Sequence, residues 1–198
     1  MTSPVRLLAF PGSARRDSFN RKALRVLIAE AERAGATVTH VEPHDFSLPL
    51  YDGDLEEKQG LPENAKRLQQ LFAEHDGLLL ASPEYNGFFT PLLKNTFDWL
   101  SRPLPDGSGK PGSIHVRGKP AGLVAASPGN LGGMRSLQHT RQYLSNLGFL
   151  VAPEQAGIAG AGEAFDDNGQ LKDDKLHKSI ATVASSVVNL ATRLRTKG

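Results

Sequence analysis

The chain has 198 residues, 39% of them hydrophobic, a formal net charge of +2 and no cysteine. The absence of cysteine excludes disulfides, thiolate nucleophiles, redox dithiols and thiolate-bound metal clusters, so redox chemistry would require a bound cofactor. The small, dispersed charge gives no reason to expect nucleic acid as a partner. The sequence shows neither an apolar stretch of membrane-spanning length nor a signal-peptide profile. We therefore expect a cytoplasmic protein with no membrane partner, in which residues 1–198 form a single domain.

The first predicted strand, residues 5–10, runs into a loop suited to a phosphate. A helix with one apolar face follows this loop and ends at Gly35. Hydroxyl, amide and guanidinium groups of the loop can donate to phosphate oxygens at the positive end of that helix. These groups belong to Ser13, Arg15, Ser18 and Asn20. The alternative is that Ser18 only caps the helix and the arginines face solvent.

A long connection follows the second predicted strand, residues 37–41. Residues 43–62 are polar and interrupted by proline and glycine, and we expect this segment to shape substrate access at the carboxyl end of the strands. A second helix is expected over residues 61–75. No metal site is expected, because His40 and His44 lie in a strand and its exit, where a spacing of four does not bring the two rings together.

The third predicted strand, residues 77–81, is a continuous apolar run, as expected for a strand covered on both faces. It ends in a loop at the carboxyl edge of the sheet, where open α/β sheets bind ligands. The proline, glycine and aromatic residues of residues 82–89 suit a planar ligand held by backbone amides. Glu84 is expected to orient this loop, and Thr90 and Pro91 to start the next helix.

The last third of the chain repeats the pattern. Residues 102–119 are expected to be an exposed excursion, followed by a fourth strand over residues 121–127. The next loop contains three glycines, which let backbone approach a ligand. A helix over about residues 135–147, a short fifth strand beginning at residues 149–151 and a last helix over residues 173–195 complete the chain.

Five strand–helix units predict an α/β fold with a doubly wound, five-stranded parallel sheet in the order 2-1-3-4-5. Ligand-type loops follow strands one, three and four. Strands one and three flank the point where the strand order reverses, which is the usual ligand crevice. A phosphate at the first loop and a flat ring between the other two describe a mononucleotide with a tricyclic ring.

The chain resembles the NADPH-dependent FMN reductase family, whose flavodoxin-like, three-layer enzymes include chromate, quinone and azo-dye reductases. The resemblance rests on Gly12-Ser13-Ala14-Arg15 with Ser18-Phe19-Asn20, on Pro83-Glu84-Tyr85-Asn86-Gly87 with Pro91, Leu93-Lys94-Asn95 and Asp98-Trp99, and on Gly132-Gly133. It implies that the first set binds the FMN phosphate, the second lines the ring and the third closes its other edge. The FMN ligands implied are Ser13, Arg15, Ser18, Asn20, Pro83, Glu84, Tyr85, Asn86, Gly87, Ser127, Gly132 and Gly133.

The resemblance also implies an FMN-dependent NAD(P)H oxidoreductase for small acceptors: free flavin, quinones, chromate and azo compounds. No catalytic side chain is expected, because the flavin itself accepts the hydride at N5. One face serving nicotinamide and then acceptor implies ping-pong kinetics, and the family implies a homodimer or homotetramer. Two alternatives stay open: a flavodoxin-like electron carrier and an FMN-binding sensor without NAD(P)H turnover. The preference for NADPH or NADH also stays open, as does the choice among Arg15, Arg16 and Arg102 for the 2′-phosphate.

Overall fold

The computed structural model describes residues 3–195 of the chain. The strands are β1 (Arg6–Pro11), β2 (Thr37–His40), β3 (Gly77–Ala81), β4 (Pro120–Ala126) and β5 (Leu150–Ile158). They form one parallel sheet in the order β2-β1-β3-β4-β5, which confirms the predicted fold class and topology.

Helices cover both faces of the sheet and make a three-layer sandwich. Helices α1 (Phe19–Arg33) and α6 (Asp174–Arg195) cover one face, and α3 (Glu63–Glu74), α4 (Pro91–Leu100) and α5 (Met134–Leu147) cover the other. Alternate residues of β1 enter the two cores, with Leu7 on the first face and Leu8 on the second. In the described part of the chain, no helix is long and apolar enough to cross a membrane.

The elements on either side of residues 82–89 lie where local sequence signals predicted them. Every residue of β3 and β4 is buried, which explains why their sequences lack alternation. Thr90 caps α4 by accepting the N–H of Leu93 at 3.2 Å, and Pro91 is the first helical residue. A turn also forms over residues 166–169, where the Gly169 N–H donates to the Asp166 carbonyl at 2.9 Å.

The fifth strand is longer than predicted. It spans nine residues, and its register against β4 shifts between Ala121 and Leu123. Pro153, Glu154 and Gln155 interrupt the apolar pattern by which a strand is recognised in the sequence. Proline is tolerated here because β5 is an edge strand. Arg141 of α5 supports this irregular stretch by donating to the carbonyl of Pro153 at 3.2 Å and to the Gln155 side chain at 3.0 Å.

The connection over residues 43–62 contains structure that the sequence analysis did not predict. A 3₁₀ turn (Pro43–Phe46) precedes the short helix α2 (Gly53–Gln59), none of whose residues is buried. Without a buried stripe, α2 leaves no periodic pattern in the sequence. The carbonyl of Pro49 accepts from Trp99 Nε1 at 2.7 Å and from Asn95 Nδ2 at 2.8 Å, so the segment is bound along the outer side of α4.

Two further details concern the ends of helices. In α6, Leu194 is 42% exposed, because the packed part of the helix ends at Ala191. The excursion over residues 102–119 follows the carboxyl end of α4, at the edge of the sheet where the strands begin. Gln69 Nε2 fastens it there by donating to the carbonyls of Leu100 at 3.1 Å and Arg102 at 2.9 Å.

His75 is buried at the end of α3 and gives the fold a pH dependence. Its Nδ1 lies 2.7 Å from the Leu71 carbonyl, so Nδ1 carries the proton and Nε2 accepts from Thr39 Oγ1 at 2.7 Å. Burial lowers the pKa of His75 below its ordinary 6.5, against the smaller opposing effect of the Leu71 hydrogen bond. The unfolded chain therefore binds this proton at a higher pH than the folded chain does.

We expect the free energy of unfolding to fall as the pH is lowered from about 7 towards 5. His40 and His115 act in the same direction, because burial lowers the pKa of both. His75→Asn keeps a donor near the Leu71 carbonyl but cannot titrate, so it should reduce a slope that is at most about 1.4 kcal/mol per pH unit for one proton. Urea unfolding at several pH values measures the slope of the unfolding free energy against pH. An unchanged slope in His75→Asn would mean that other groups cause the pH dependence.

Candidate functional site

Three loops leave neighbouring strands at the same edge of the sheet. Loop 1 (residues 12–18) follows β1, loop 2 (residues 82–90) follows β3 and loop 3 (residues 127–133) follows β4. Because β1 pairs with β3 and β3 with β4, all parallel, the three loops are adjacent at the carboxyl edge. The structure therefore brings together the three groups of residues that the sequence analysis singled out.

Loop 1 presents several hydrogen-bond donors around the first turn of α1. Ser13 and Ser18 are each 4% exposed, and their hydroxyl oxygens accept the N–H groups of Arg15 at 3.3 Å and Asn20 at 3.2 Å. Each hydroxyl keeps its own proton to donate. Among the described residues, the N–H groups of Ser13 and Ala14 meet no acceptor. Ser18 thus caps the helix and still has a donor for an anion, so the two roles weighed for it do not exclude each other.

Arg15 lies on the solvent side of loop 1. One of its terminal nitrogens donates to the Asp17 carbonyl at 2.7 Å, and its guanidinium lies 5.7 Å from the centre of the Phe19 ring. The contact bends the side chain over the beginning of α1. A guanidinium in that place adds a full positive charge to the positive end of the helix.

Asn20 is placed differently from the other loop 1 candidates. Its side chain is buried, donates from Nδ2 to the Ala126 carbonyl at 2.8 Å and accepts the Ala126 N–H on Oδ1 at 2.8 Å. The sequence predicts a phosphate contact for this amide, whereas in the structure the amide bonds to Ala126 at the end of β4. No local signal indicates the contact, because the partners are 106 residues apart.

Loop 2 contains a tight two-residue hairpin. Tyr85 and Phe88 exchange backbone hydrogen bonds of 2.9 and 3.0 Å, and the residues between them, Asn86 and Gly87, have φ values of 53° and 82°. Positive φ at both central positions defines a type I′ turn, for which Asn-Gly is the preferred sequence. Sequence reasoning missed the turn although that pair signals it. The turn exposes half of the Tyr85 side chain and 46% of Phe88 at the rim of the site.

Aromatic rings connect loop 2 to α5. Phe88 lies 4.6 Å from the ring of His139, and the buried Phe89 stacks on Tyr143 at 4.8 Å with an angle of 21° between the rings. Burial raises the pKa of Tyr143, so this phenol stays protonated at neutral pH. Sequence reasoning assigned no part of the site to His139 or Tyr143, since helical spacing alone marks them only as residues of α5.

Glu84 joins loop 2 to the beginning of α5. Its carboxylate accepts from Arg135, with Nε at 2.7 Å, and from the backbone N–H of Ser136 at 3.3 Å. Burial opposes the charge on Glu84, but Arg135 and the Ser136 N–H outweigh it and hold the pKa of Glu84 below its ordinary value. An ionised carboxylate at the positive end of α5 is favourable, and it fixes loop 2, as expected for Glu84.

The Glu84–Arg135 pair can be measured directly. We expect Glu84→Gln and Arg135→Ala each to lower the free energy of unfolding, with a coupling of about 0.5–1 kcal/mol, because the Glu84 side chain is 8% exposed but that of Arg135 is 61% exposed. A double-mutant cycle by urea denaturation gives this coupling. Strictly additive effects would mean that the two side chains are only neighbours.

The glycines of loop 3 approach the protein's own backbone. A Cβ on Gly132 would lie 2.8 Å from the Ala159 nitrogen, and one on Gly133 would lie 2.6 Å from Ala125 Cβ. Both residues also have positive φ, 57° and 84°. The structure thus shows a reason for these glycines that does not involve a ligand: they let loop 3 lie close against β4 and β5. In the same loop, Ser127 Oγ accepts the Gly129 N–H at 3.2 Å.

Side chains tie the three loops to one another. Thr90 Oγ1 of loop 2 donates to the Gly12 carbonyl of loop 1 at 2.7 Å. The Asn20–Ala126 pair joins α1 to the start of loop 3, and Glu84 joins loop 2 to α5. The site is therefore held in place by the protein itself, which is the property called preorganisation.

Of two cavities, one adjoins the site and the other lies at the opposite edge of the sheet. One of about 270 Å³ adjoins loop 1 and is lined by Ala14, Pro43, His44, Phe46, Ser47, Leu48, Leu92, Asn95 and Thr96. The beginning of the 43–62 connection therefore does reach the ligand edge. The other, about 430 Å³, includes Val5 and Gly35 in its lining, at the opposite edge where the strands begin. Among the described residues, no cluster of His, Asp or Glu is placed to hold a metal.

Comparisons with known proteins agree with this geometry. The family model described as NADPH-dependent FMN reductase matches residues 5–163. An NAD(P)H-dependent FMN reductase of Pseudomonas aeruginosa is 35% identical over 198 residues, which cover 98% of this chain and 100% of that protein. A quinone reductase of Escherichia coli K12 is 35% identical over 177 residues, covering 87% and 88% of the two chains. The solved structure of FerB, a flavoenzyme NAD(P)H:acceptor oxidoreductase from Paracoccus denitrificans, gives a TM-score of 0.78 at 27% identity and covers 96% of this chain and 98% of its own.

Proposed function

The chain belongs to the NADPH-dependent FMN reductase family, and from this membership we propose that it binds FMN, oxidises NAD(P)H and reduces small acceptors such as quinones and free flavin. The observation that carries the proposal is the meeting of an anion-binding loop and an aromatic loop at one edge of the sheet. Bound FMN supplies the hydride and electron chemistry, so no acid, base or nucleophile of the protein is required.

The phosphate end of the cofactor belongs at loop 1. The hydroxyls of Ser13 and Ser18 and the unpaired N–H groups there are donors that an anion needs, and Arg15 adds the charge. A phosphate in this place would complete hydrogen bonds that the described chain leaves open. That fit supports three of the four residues assigned to the phosphate, while Asn20 has its own protein partner.

The ring end belongs between loops 2 and 3. Among the described residues, the N–H groups of Glu84, Asn86 and Gly87 meet no acceptor, so they are available to the polar edge of a flat ring. The exposed rings of Tyr85 and Phe88 offer a surface on which nicotinamide and then the acceptor can stack. Pro83 on one side and Ser127, Gly132 and Gly133 on the other complete the proposed ring contacts.

The surroundings of the arginines considered for the 2′-phosphate of NADPH support a choice among them. Arg102 donates from Nε to Glu56 at 2.8 Å and lies over the ring of Tyr51, beyond the end of α4 that is remote from the loops. Arg16 is exposed in loop 1 beside the proposed phosphate site. We therefore favour Arg16 over Arg102, with Arg15 assigned to FMN.

Assembly and location follow from the same proposal. The family resemblance favours a homodimer or homotetramer, and the exposed apolar side chain of Leu131 in loop 3 offers surface for a second copy. The proposed co-substrate NAD(P)H is held inside cells, so we place the enzyme in the cytoplasm. Chromate and azo compounds are further acceptors that the resemblance suggests.

Steady-state kinetics test the proposed reaction. With NADPH and a quinone varied together, one shared face predicts parallel double-reciprocal lines, the pattern of a ping-pong reaction. Intersecting lines would mean that both substrates bind at once and that the shared face is wrong. If the protein oxidised neither NADPH nor NADH with any quinone or flavin, the enzyme proposal would be wrong, and an electron carrier or an FMN-binding sensor would be the better interpretation.

A further inference from the structure

The buried contact between Asn20 and Ala126 occupies a particular position in the sheet. Ser82, just beyond β3, donates its N–H to the Val124 carbonyl at 3.1 Å, so this carbonyl points towards β3. Backbone groups two residues apart on a strand point the same way, and those of Ala126 therefore also point towards the side of β3. At this level β3 has already ended and Pro83 leads the chain away into loop 2.

The amide of Asn20 takes the position of the missing strand. In a continuing parallel β3, one peptide group would accept the Ala126 N–H and the next would donate to the Ala126 carbonyl. The single amide of Asn20 makes both bonds, each at 2.8 Å. Asn20 is 2% exposed and is the second residue of α1. Without it, both backbone groups of Ala126 would be buried and unpaired in the gap between loops 2 and 3.

We propose that Asn20 is a positioning residue for the ring end of FMN: it extends the hydrogen bonding of β4 past the end of β3 and thereby sets where loop 3 begins. The inference rests on the proposed FMN site. It differs from the role expected from the sequence, in which the amide of Asn20 contacts only the phosphate. Loop 3 starts at Ser127, the next residue. Movement of Ala126 would therefore move the loop that is proposed to contact one edge of the flavin ring.

Riboflavin separates the two roles because it has the ring of FMN but no phosphate. If Asn20 positions loop 3, Asn20→Ala should weaken the binding of FMN and of riboflavin by a similar factor, about tenfold for each. It should also shift the flavin absorption maximum or the reduction potential, since the surroundings of the ring change. Arg15→Ala is the matched comparison and should weaken FMN binding alone.

The contact itself is measurable without cofactor. Asn20→Asp keeps the acceptor for the Ala126 N–H but sets a second oxygen against the Ala126 carbonyl, so amide exchange over residues 126–133 should accelerate in the flavin-free protein. Amide exchange in Asn20→Asp also tests the contact if Asn20→Ala fails to fold.

Three results decide the proposal. Weaker FMN binding with unchanged riboflavin binding would make Asn20 a phosphate ligand and overturn the inference, as would unchanged binding of both. Wild-type protein that binds neither flavin would instead contradict the proposed function. In that case, faster exchange over residues 126–133 in Asn20→Asp would still establish the structural role of the side chain.

Discussion

Gly12→Ala is expected to destabilise the protein by about 1–3 kcal/mol and to weaken flavin binding with it. An added Cβ would lie 2.7 Å from Ser82 Oγ and 2.9 Å from Ser82 Cα, and the second of these atoms belongs to the backbone. Gly12 has no room to withdraw, because its N–H donates to the Ala81 carbonyl at 2.7 Å and its carbonyl accepts from Thr90 Oγ1 at 2.7 Å. Relief of the clash therefore has to separate loop 1 from loop 2.

Gly53→Ala is the matched control for this substitution. A Cβ there meets nothing within 4 Å, and Gly53 is the first residue of α2, where alanine is compatible with the backbone. We expect unchanged flavin binding and a stability equal to wild type or higher by about 0.4–1 kcal/mol. Urea unfolding and flavin fluorescence titration measure both variants. A Gly12→Ala protein as stable as wild type, with full flavin affinity, would show that the two loops are not held together as described.

Arg15→Ala is expected to raise the dissociation constant for FMN about 30-fold, which corresponds to about 2 kcal/mol for a charge-assisted contact to phosphate. The guanidinium lies 5.7 Å from the centre of the ring of Phe19, the first residue of α1, and belongs to the same loop as Ser13 and Ser18. Because the lost contact is to phosphate, the affinity for riboflavin should not change.

Arg16→Ala provides the control for charge alone. Arg16 is the next residue and is also exposed, so its removal lowers the charge of loop 1 equally. Fluorescence titration should show a small effect on FMN binding for Arg16→Ala and a large one for Arg15→Ala. Equal losses of FMN affinity in the two variants would mean that Arg15 acts only through general electrostatic attraction. Full FMN affinity in Arg15→Ala would mean that the phosphate does not bind at loop 1.

The sequence predicts this fold well because its main signals are local. Continuous apolar runs identify β3 and β4, and Thr90 followed by Pro91 marks the start of α4 within a few residues. The failures arise where local signals are weak or conflict with the structure. Helix α2 has no buried side chain to give it a period, and proline and glycine within β5 hide an edge strand.

The three candidate loops lie at the strand ends, as the sequence predicts, but the contacts that hold them together could not be predicted. Asn20 meets Ala126 across 106 residues, and Glu84 meets Arg135 across 51. Such pairs depend on how the strands are arranged in the sheet, which local spacing does not report. Local spacing also does not show that a Cβ on Gly132 would meet the end of β5 or that one on Gly133 would meet β4, a constraint separate from the ring contact proposed for both glycines.

The most direct test of the proposed function is an absorption spectrum of the purified protein, incubated with FMN, freed of excess cofactor by gel filtration and then mixed with NADPH without oxygen. We expect a retained flavin spectrum that bleaches on mixing, because the site binds FMN and admits the nicotinamide to it. Flavin that is retained but stays oxidised, in NADH as well as NADPH, would contradict the reductase function. No retained flavin would contradict the assignment of the three loops.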